Sequence, residues 1–288
     1  MLRTFPLAPA LAGAARSWQG GTGVPARAAS TVLLLRDGPP AGVDAGPEVF
    51  VLRRAATMAF APRMHVFPGG GVDERDADPS VPWLGPDPGW WAAALGTGVD
   101  EARELVCAAV RELFEECGVL LAGRPGDADV VADLGDPRWE ADRQALLDRS
   151  LALTELLGRR GLVLRSDLLR PWAHWTTPVF EPRRYDTRFF VAAMPAGQRA
   201  RDVGGEADHV AWLGARAAVD GHREGRLAML PPTLVALEEV AAHRDVASVL
   251  AARRRLRRVM PWLAGEAMQI DLDGVGGGDV GPGQDGDA

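Results

Sequence analysis

The sequence predicts an α/β class fold, an α/β/α sandwich around a mixed β-sheet. Three observations predict it. Two apolar runs, Ala29–Leu35 and Glu48–Arg53, have strand length and are joined by the Gly/Pro-rich DGPPAGVDAGP, a hairpin signature. A single 3.6-residue periodicity then spans roughly Asp100 to Cys117, too long for a strand. Past that helix the chain returns to strands, with AHWTTPVF and DTRFFVAAM joined by the charged turn EPRRY and followed by HVAWL. Helical patterns close it, PTLVALEEVAAHR and VASVLAARRRLRRV, the first started by Pro231 and Pro232. Strands interleaved with helices and hairpins bury their apolar faces best as helices on both sides of one mixed sheet.

Taken in order, the segments assemble one domain. Residues 1–28 carry arginines and no acid, a composition resembling a transit peptide, but their Pro and Gly content predicts a segment without regular structure. After the first hairpin a short strand ends in VFPGGGV, Val66 to Val72. Gly69, Gly70 and Gly71 there permit positive φ and a close backbone approach to a phosphate. Glu74 to Gly98 is rich in Asp, Pro and Gly, with one or two helical turns expected from Asp87 and Pro88. Its Trp83, Trp90 and Trp91 read as the contact fastening this segment to the body, with a lid over a ligand as the alternative. Asp136-Pro137 opens a helical stretch to about Arg160, closed by Gly161. The Gly/Asp-rich tail beyond has too few apolar residues to order itself. The expected domain spans 29–262, with an insertion at about 74–98 and extra C-terminal helices, between unstructured segments 1–28 and 263–288.

Net charge is −7, which argues against a nucleic-acid surface. No run of 18 apolar residues exists, so no membrane span is expected. All 32 basic residues are arginine, a genomic base-composition effect that makes a lone arginine a poor pointer to phosphate chemistry. Cys107 and Cys117 suit neither a metal clip nor a disulfide and read as small core residues of a reducing, cytoplasmic compartment.

Function is concentrated in the long helix. At about 100° per residue, Glu101, Glu104, Glu112, Glu115 and Glu116 share one arc, opposite Val106, Val110, Leu113, Phe114 and Cys117. Like charges at i, i+3 and i+4 destabilise a helix. A bound hard cation offsets that repulsion, and Mg²⁺ takes a few carboxylates together with substrate phosphate oxygens. The plain alternative is a solvated acidic face.

What decides between them is the run RELFEECGV, Arg111 to Val119, with its upstream P-G-G turn. Here the chain resembles the Nudix hydrolases, whose signature is G-x5-E-x7-R-E-U-x-E-E-x-G-U, with U aliphatic. The second half is intact. In the first half Asp76 and Arg103 stand at the two counts where glutamate is expected, and about 27 extra residues separate the halves. A long insertion at this place resembles the coenzyme A diphosphatase-like branch, as do WTTP (Trp175 to Pro178), RRYDTRFF (Arg183 to Phe190) and LPPT (Leu230 to Thr233). The segment LRRAATMAFAPRMHVFPGG is similar to the coenzyme A signature of another branch.

The resemblance implies a Nudix-type sandwich and metal-dependent hydrolysis of a pyrophosphate link. Glu112, Glu115 and Glu116 match the metal ligands, for Mg²⁺ with Mn²⁺ as a substitute. Arg111 matches the arginine that orients a motif glutamate, here Glu115. An auxiliary carboxylate from a distant loop is expected to be Glu206 or, failing that, Glu181. Substrate contacts are expected from Gly69, Gly70, Gly71, Arg53, Arg54, Arg63, Arg183 and Arg184. The expected substrate is coenzyme A or an acyl ester, with ADP-ribose, NADH and nucleotide sugars as the alternative. A non-catalytic nucleotide-binding domain is the other reading, disfavoured because it has no need of a self-repelling carboxylate triplet. The partner expected is thus a small nucleotide, with no nucleic acid and no membrane, and a homodimer is left open.

Overall fold

Val32, Leu33, Leu34 and Leu35 are all fully buried, which a strand achieves only with both of its faces covered. The computed structural model describes residues 1–39, 45–57, 62–203 and 207–273, and it puts this run at the centre of the molecule. In chain order the elements are β1 (Leu2–Pro6), α1 (Pro9–Ser17), β2 (Arg27–Asp37), β3 (Pro47–Arg54), β4 (His65–Val66), β5 (Gly69–Gly71), a 3-10 turn (Glu74–Ala77), β6 (Trp83–Leu84), α2 (Pro88–Leu95), α3 (Val99–Cys117) and β7 (Ala122–Gly123). Next come α4 (Pro137–Leu147), α5 (Leu153–Arg160), β8 (Val163–Arg165), a second 3-10 turn (Ser166–Leu168), β9 (Arg170–Thr176), β10 (Tyr185–Ala193) and β11 (Ala207–Gly214). The chain closes with α6 (Ala215–Arg223), α7 (Pro231–Ala241), α8 (Val246–Ala251), β12 (Arg258–Val259), β13 (Trp262–Ala264) and β14 (Ala267–Asp271).

The main sheet runs β11-β3-β2-β10-β9-β12, with β4 on β3 and β5 on β2. β2 and β10 are parallel, while β3 is antiparallel to both β2 and β11. Alternation then divides the core. Val32, Leu34, Phe50 and Leu52 pack with Leu105, Val106 and Leu113 of α3. Leu33, Leu35, Val49 and Val51 face the other way, with Leu234, Leu237 and Val240 of α7. The result is the α/β/α sandwich around a mixed sheet.

The hairpin matters most for function because it opens. β2 meets β3 only over Leu35–Asp37 and meets β5 over Ala29–Thr31. The glycine run fills the gap as the short strand β5, with none of its three glycines at the positive φ the sequence allowed for, and Val32 N–H donates to Pro68 O at 2.8 Å. A Cβ on Gly69 would lie 2.4 Å from the carbonyl oxygen of Ser30, so only glycine fits against β2.

Several expectations need correction. The segment 1–28 is not without structure. β1 pairs antiparallel with β14, near the other end of the chain, and Phe5 and Leu11 are buried. That pairing also orders the start of the 263–288 tail, whose residues 274–288 lie outside the described residues. The last helix stops at Ala251 rather than running to Val259. Continued, it would have stacked Arg253, Arg254, Arg257 and Arg258 at i, i+3 and i+4, where like charges repel. Instead Arg258 and Val259 add a parallel strand beside β9. The helical stretch expected from Asp136 to Arg160 is present, as two helices of the one or two its pattern allows.

The insertion is fastened by its tryptophans, not closed by them. Trp91 is fully buried and meets Phe190 edge-on at 5.7 Å, while Trp90 stays exposed. Asp87 caps α2 by accepting from Trp90 N–H at 2.8 Å. Cys107 and Cys117 are both free and buried, as expected of core residues. Among the described residues no helix is long and apolar enough to cross a membrane.

Candidate active site

α3 presents the acidic arc because its apolar arc is consumed by the core. It ends at Gly118, whose φ of 68° and N–H to Phe114 O form a left-handed stop. Arg111, Glu112 and Glu115 are each at least nine-tenths buried, facing a cleft of about 400 Å³ whose wall is the glycine turn. Two contacts tie turn to helix. Gly69 N–H donates to Glu116 Oε2 at 2.8 Å, and Arg111 Nη2 donates to Gly71 O at 2.9 Å. A Cβ on Gly70 would come within 2.4 Å of Glu112 Oε1, so a side chain here would have to displace that carboxylate.

Arg111 organises the charges. Its Nη1 donates to Glu112 Oε1 at 2.7 Å and to Glu115 Oε2 at 3.2 Å, and its Nε and Nη2 grip Asp76 at 2.9 and 2.8 Å. Burial opposes the guanidinium cation, but the Asp76, Glu112 and Glu115 charges outweigh it and raise its pKa. Asp76 is therefore the missing piece of the split signature. It is fixed by its own turn, where it accepts from Asp73 N–H at 2.9 Å while Asp73 caps Arg75 N–H at 3.0 Å. Asp76 stands at the count from Gly70 where the signature has a glutamate, which the sequence alone shows only as a departure. An aspartate on a tight turn makes this fork with the guanidinium.

The carboxylates carry more negative charge than one guanidinium neutralises. Burial pushes Glu112 up to about 7 and also raises Glu115, with Arg111 opposing both shifts. Glu115 Oε1 is buried with no hydrogen-bond partner. An orphaned carboxylate oxygen among oxygen donors is what a hard divalent cation would occupy. Among the described residues no three side chains already converge as a finished coordination shell. Arg111 and Gly69 N–H hold the donors instead. The donor set fits a cation.

Of the expected contact arginines Arg54 lines the cleft, and the others lie elsewhere. Arg53 pairs with Asp208 at 2.6 Å, and Arg184 donates to the carbonyls of Thr177 and Val24. Neither of these, nor Arg63 or Arg183, lines the cleft, whereas Arg27, Arg54 and Arg149 do. Glu181 is buried away from the cleft lining, its Oε1 unpartnered and its pKa raised by burial. Residues 204–206, Glu206 among them, lie outside the described residues, as do residues 58–61 of the upstream coenzyme A-like segment. The loop before Glu206 is nonetheless anchored at the end of α3. Arg201 N–H donates to Cys117 O at 3.1 Å, Arg143 Nη2 donates to Val203 O at 3.0 Å, and Asp202 lines the cleft.

WTTP and RRYDTRFF carry a buried polar network. Asp186 accepts from His174, Thr176 and Arg188, and Arg188 Nε reaches Leu95 O at 3.2 Å, locking the insertion helix to the sheet.

A mixed-sheet sandwich whose long acidic helix faces a glycine turn defines the Nudix class. The model of the NUDT19 Nudix domain matches residues 93–240, and the chain belongs to that family. It is 30% identical over 213 residues to an acyl-coenzyme A diphosphatase NUDT19 of Gallus gallus, covering 58% of this chain and 55% of that protein. The same-named protein of Xenopus laevis is 22% identical over 232 residues, covering 67% of this chain and 59% of its own. The chain thus spans a little over half the length of these relatives. A NUDIX hydrolase structure from Alicyclobacillus acidocaldarius superposes with a TM-score of 0.66 at 28% identity, over 81% of this chain and 98% of that one.

Proposed function

We propose that this chain is a divalent-metal-dependent Nudix hydrolase that cleaves the pyrophosphate of coenzyme A or an acyl-coenzyme A. The products are 3′,5′-ADP and a 4′-phosphopantetheine. The observation that carries this reading is the buried Arg111–Asp76–Glu112–Glu115 cluster, which leaves a carboxylate oxygen unsatisfied in a cleft walled by glycines. The named activity of the NUDT19 relatives supports the substrate.

In the reaction a water oxygen bonds to one phosphorus, the bridging P–O bond breaks, and the second phosphomonoester leaves. Mg²⁺, or Mn²⁺ in its place, would be held by Glu112, Glu115 and Glu116, and would neutralise the diphosphate and lower the pKa of the attacking water. Arg111 holds Glu112 and Glu115 in place, and Asp76 holds Arg111. Gly69, Gly70 and Gly71 let the diphosphate approach the backbone. An auxiliary carboxylate takes the water proton. We assign it to Glu206, whose loop is anchored beside Glu116, in preference to the buried Glu181. Phosphate recognition falls to Arg27, Arg54 and Arg149, since a guanidinium fork suits a phosphate monoester.

The test is kcat/KM with Mg²⁺ for coenzyme A against 3′-dephospho-coenzyme A, ADP-ribose and NADH. Coenzyme A should lead 3′-dephospho-coenzyme A by about tenfold or more, the value of one charged hydrogen-bonded contact. Equal values, or a preference for ADP-ribose, overturn the substrate.

A further inference from the structure

Beside the glycine run lies a second cavity of about 430 Å³. It shares Arg54, Val66, Gly69, Gly70, Gly71 and Tyr185 with the acidic cleft, so the two adjoin along these residues. The rest of its lining differs in kind. Ala29, Trp175 and Phe189 come from the main sheet, Leu230 from the start of α7, and Leu11 and Met268 from segments near the two chain ends. No carboxylate lines it, and Arg54 is its one charged lining residue among those described. Its other polar groups are mainly threonine hydroxyls, Thr187 and Thr233 among them.

A concave, mostly apolar cavity with a few hydroxyls suits an uncharged, partly apolar group of small-molecule size. It suits a charged group poorly, because burying an unpaired charge is costly. The acidic cleft has the opposite character, with carboxylates for a cation and arginines at its walls. A pyrophosphate diester has just such unlike ends: a nucleotide on one side and, in many esters, an uncharged arm on the other.

We propose that this chamber receives the uncharged, largely apolar arm esterified to the pyrophosphate, while the nucleotide end stays with the arginines of the acidic cleft. This rests on the hydrolase reading and adds to it by assigning one end of the substrate to one cavity. Selectivity then follows from arm length and polarity. Each buried methylene contributes up to about fourfold in affinity.

The probe is a series of ADP alkyl esters, ethyl to dodecyl, with a methylene-bridged diphosphate that cannot be hydrolysed. Calorimetry reads binding to the full chain with Mg²⁺ present. Kd should fall by about two- to fourfold per methylene until the chamber is full, then level off. Thr187→Phe, which fills the chamber from β10, should bring the dodecyl-to-ethyl ratio of Kd close to unity. If that variant does not melt cooperatively, Leu230→Trp narrows the chamber from the start of α7 and should do the same. A flat series in the wild type, no binding by any member, or a slope that survives a folded filling variant overturns the proposal. Turnover is read separately. Hydrolysis of coenzyme A with a flat ester series sinks the chamber alone, whereas a length-dependent Kd without hydrolysis of any pyrophosphate sinks the catalytic reading alone.

Discussion

Arg111 and Arg188 are both buried among carboxylates, and their two networks behave in opposite ways. Around Arg188, one carboxylate is saturated. Asp186 accepts from His174, Thr176 and Arg188, and although burial works against its ionised form, those bonds hold its pKa well below the usual carboxylate range. Around Arg111, three carboxylates share one guanidinium, an oxygen of Glu115 has no partner, and burial drives Glu112 and Glu115 upward. A scaffold network closes its own accounts. The Arg111 cluster stays short of positive charge, and that deficit marks it as a place for a ligand.

The largest test of this contrast removes one carboxylate at a time. Glu116→Gln should fold and melt normally yet lose about a hundredfold or more in kcat, as electrostatic contributions to a transition state typically show. Near wild-type turnover in Mg²⁺ would remove Glu116 from the site. The same contrast predicts who gains from a cation. At about a hundred times its Kd, a divalent ion should stabilise the wild type by about 2.7 kcal/mol, and Glu112→Gln by clearly less. Asp186→Asn should retain the full gain, because its network has no vacancy to fill. Equal shifts in all three proteins would show that the ion binds elsewhere.

Asp76 comes next. Its side chain is fully buried against Arg111, and removing one partner of a buried pair costs about 3–5 kcal/mol. Arg111 keeps Glu112 and Glu115, so Asp76→Asn should sit near the lower figure in a denaturant titration. Its kcat should fall too, because Arg111 is then free to swing from the glutamates. Unchanged stability and turnover would mean that the fork to Asp76 is ornamental.

How much of this was legible beforehand varied with where the information lay. α3 was readable nearly to its ends, because its period, its acidic arc and Gly118 all sit within one local stretch. The strands β2 and β10 were legible for the same reason. β1 was not: Leu2–Pro6 finds its partner in Ala267–Asp271, and nothing local to either segment announces the other. Counting places Asp76 where the signature has a glutamate, but spacing alone does not reveal that a capped turn brings a shorter acid within reach of Arg111. The contact arginines were hardest. In a chain whose basic residues are all arginine, Arg53 and Arg54 look alike, and only the sheet register sends one to Asp208 and the other to the cleft wall.

The smallest expected effect is the one that separates scaffold from site most cleanly. Asp186→Asn removes the negative charge that His174, Thr176 and Arg188 surround and replaces one of its two acceptor oxygens with a donor amide. It should cost about 2 kcal/mol at neutral pH, modest because a quarter of the Asp186 side chain meets solvent, where water screens the charge. The sign of its pH dependence follows from the lowered pKa. A carboxylate held more acidic in the fold than in the unfolded chain stabilises fully above its ordinary value of about 3.9, and that stabilisation fades as pH falls toward the folded value. Urea melts at pH 7 and near pH 3 should therefore show the gap between wild type and Asp186→Asn narrowing on acidification. Turnover at pH 7 should fall by less than about threefold, because the network touches α2 and the sheet and not the cleft. A large loss of kcat with stability intact would place Asp186 in the chemistry and erase the distinction between the two arginine clusters.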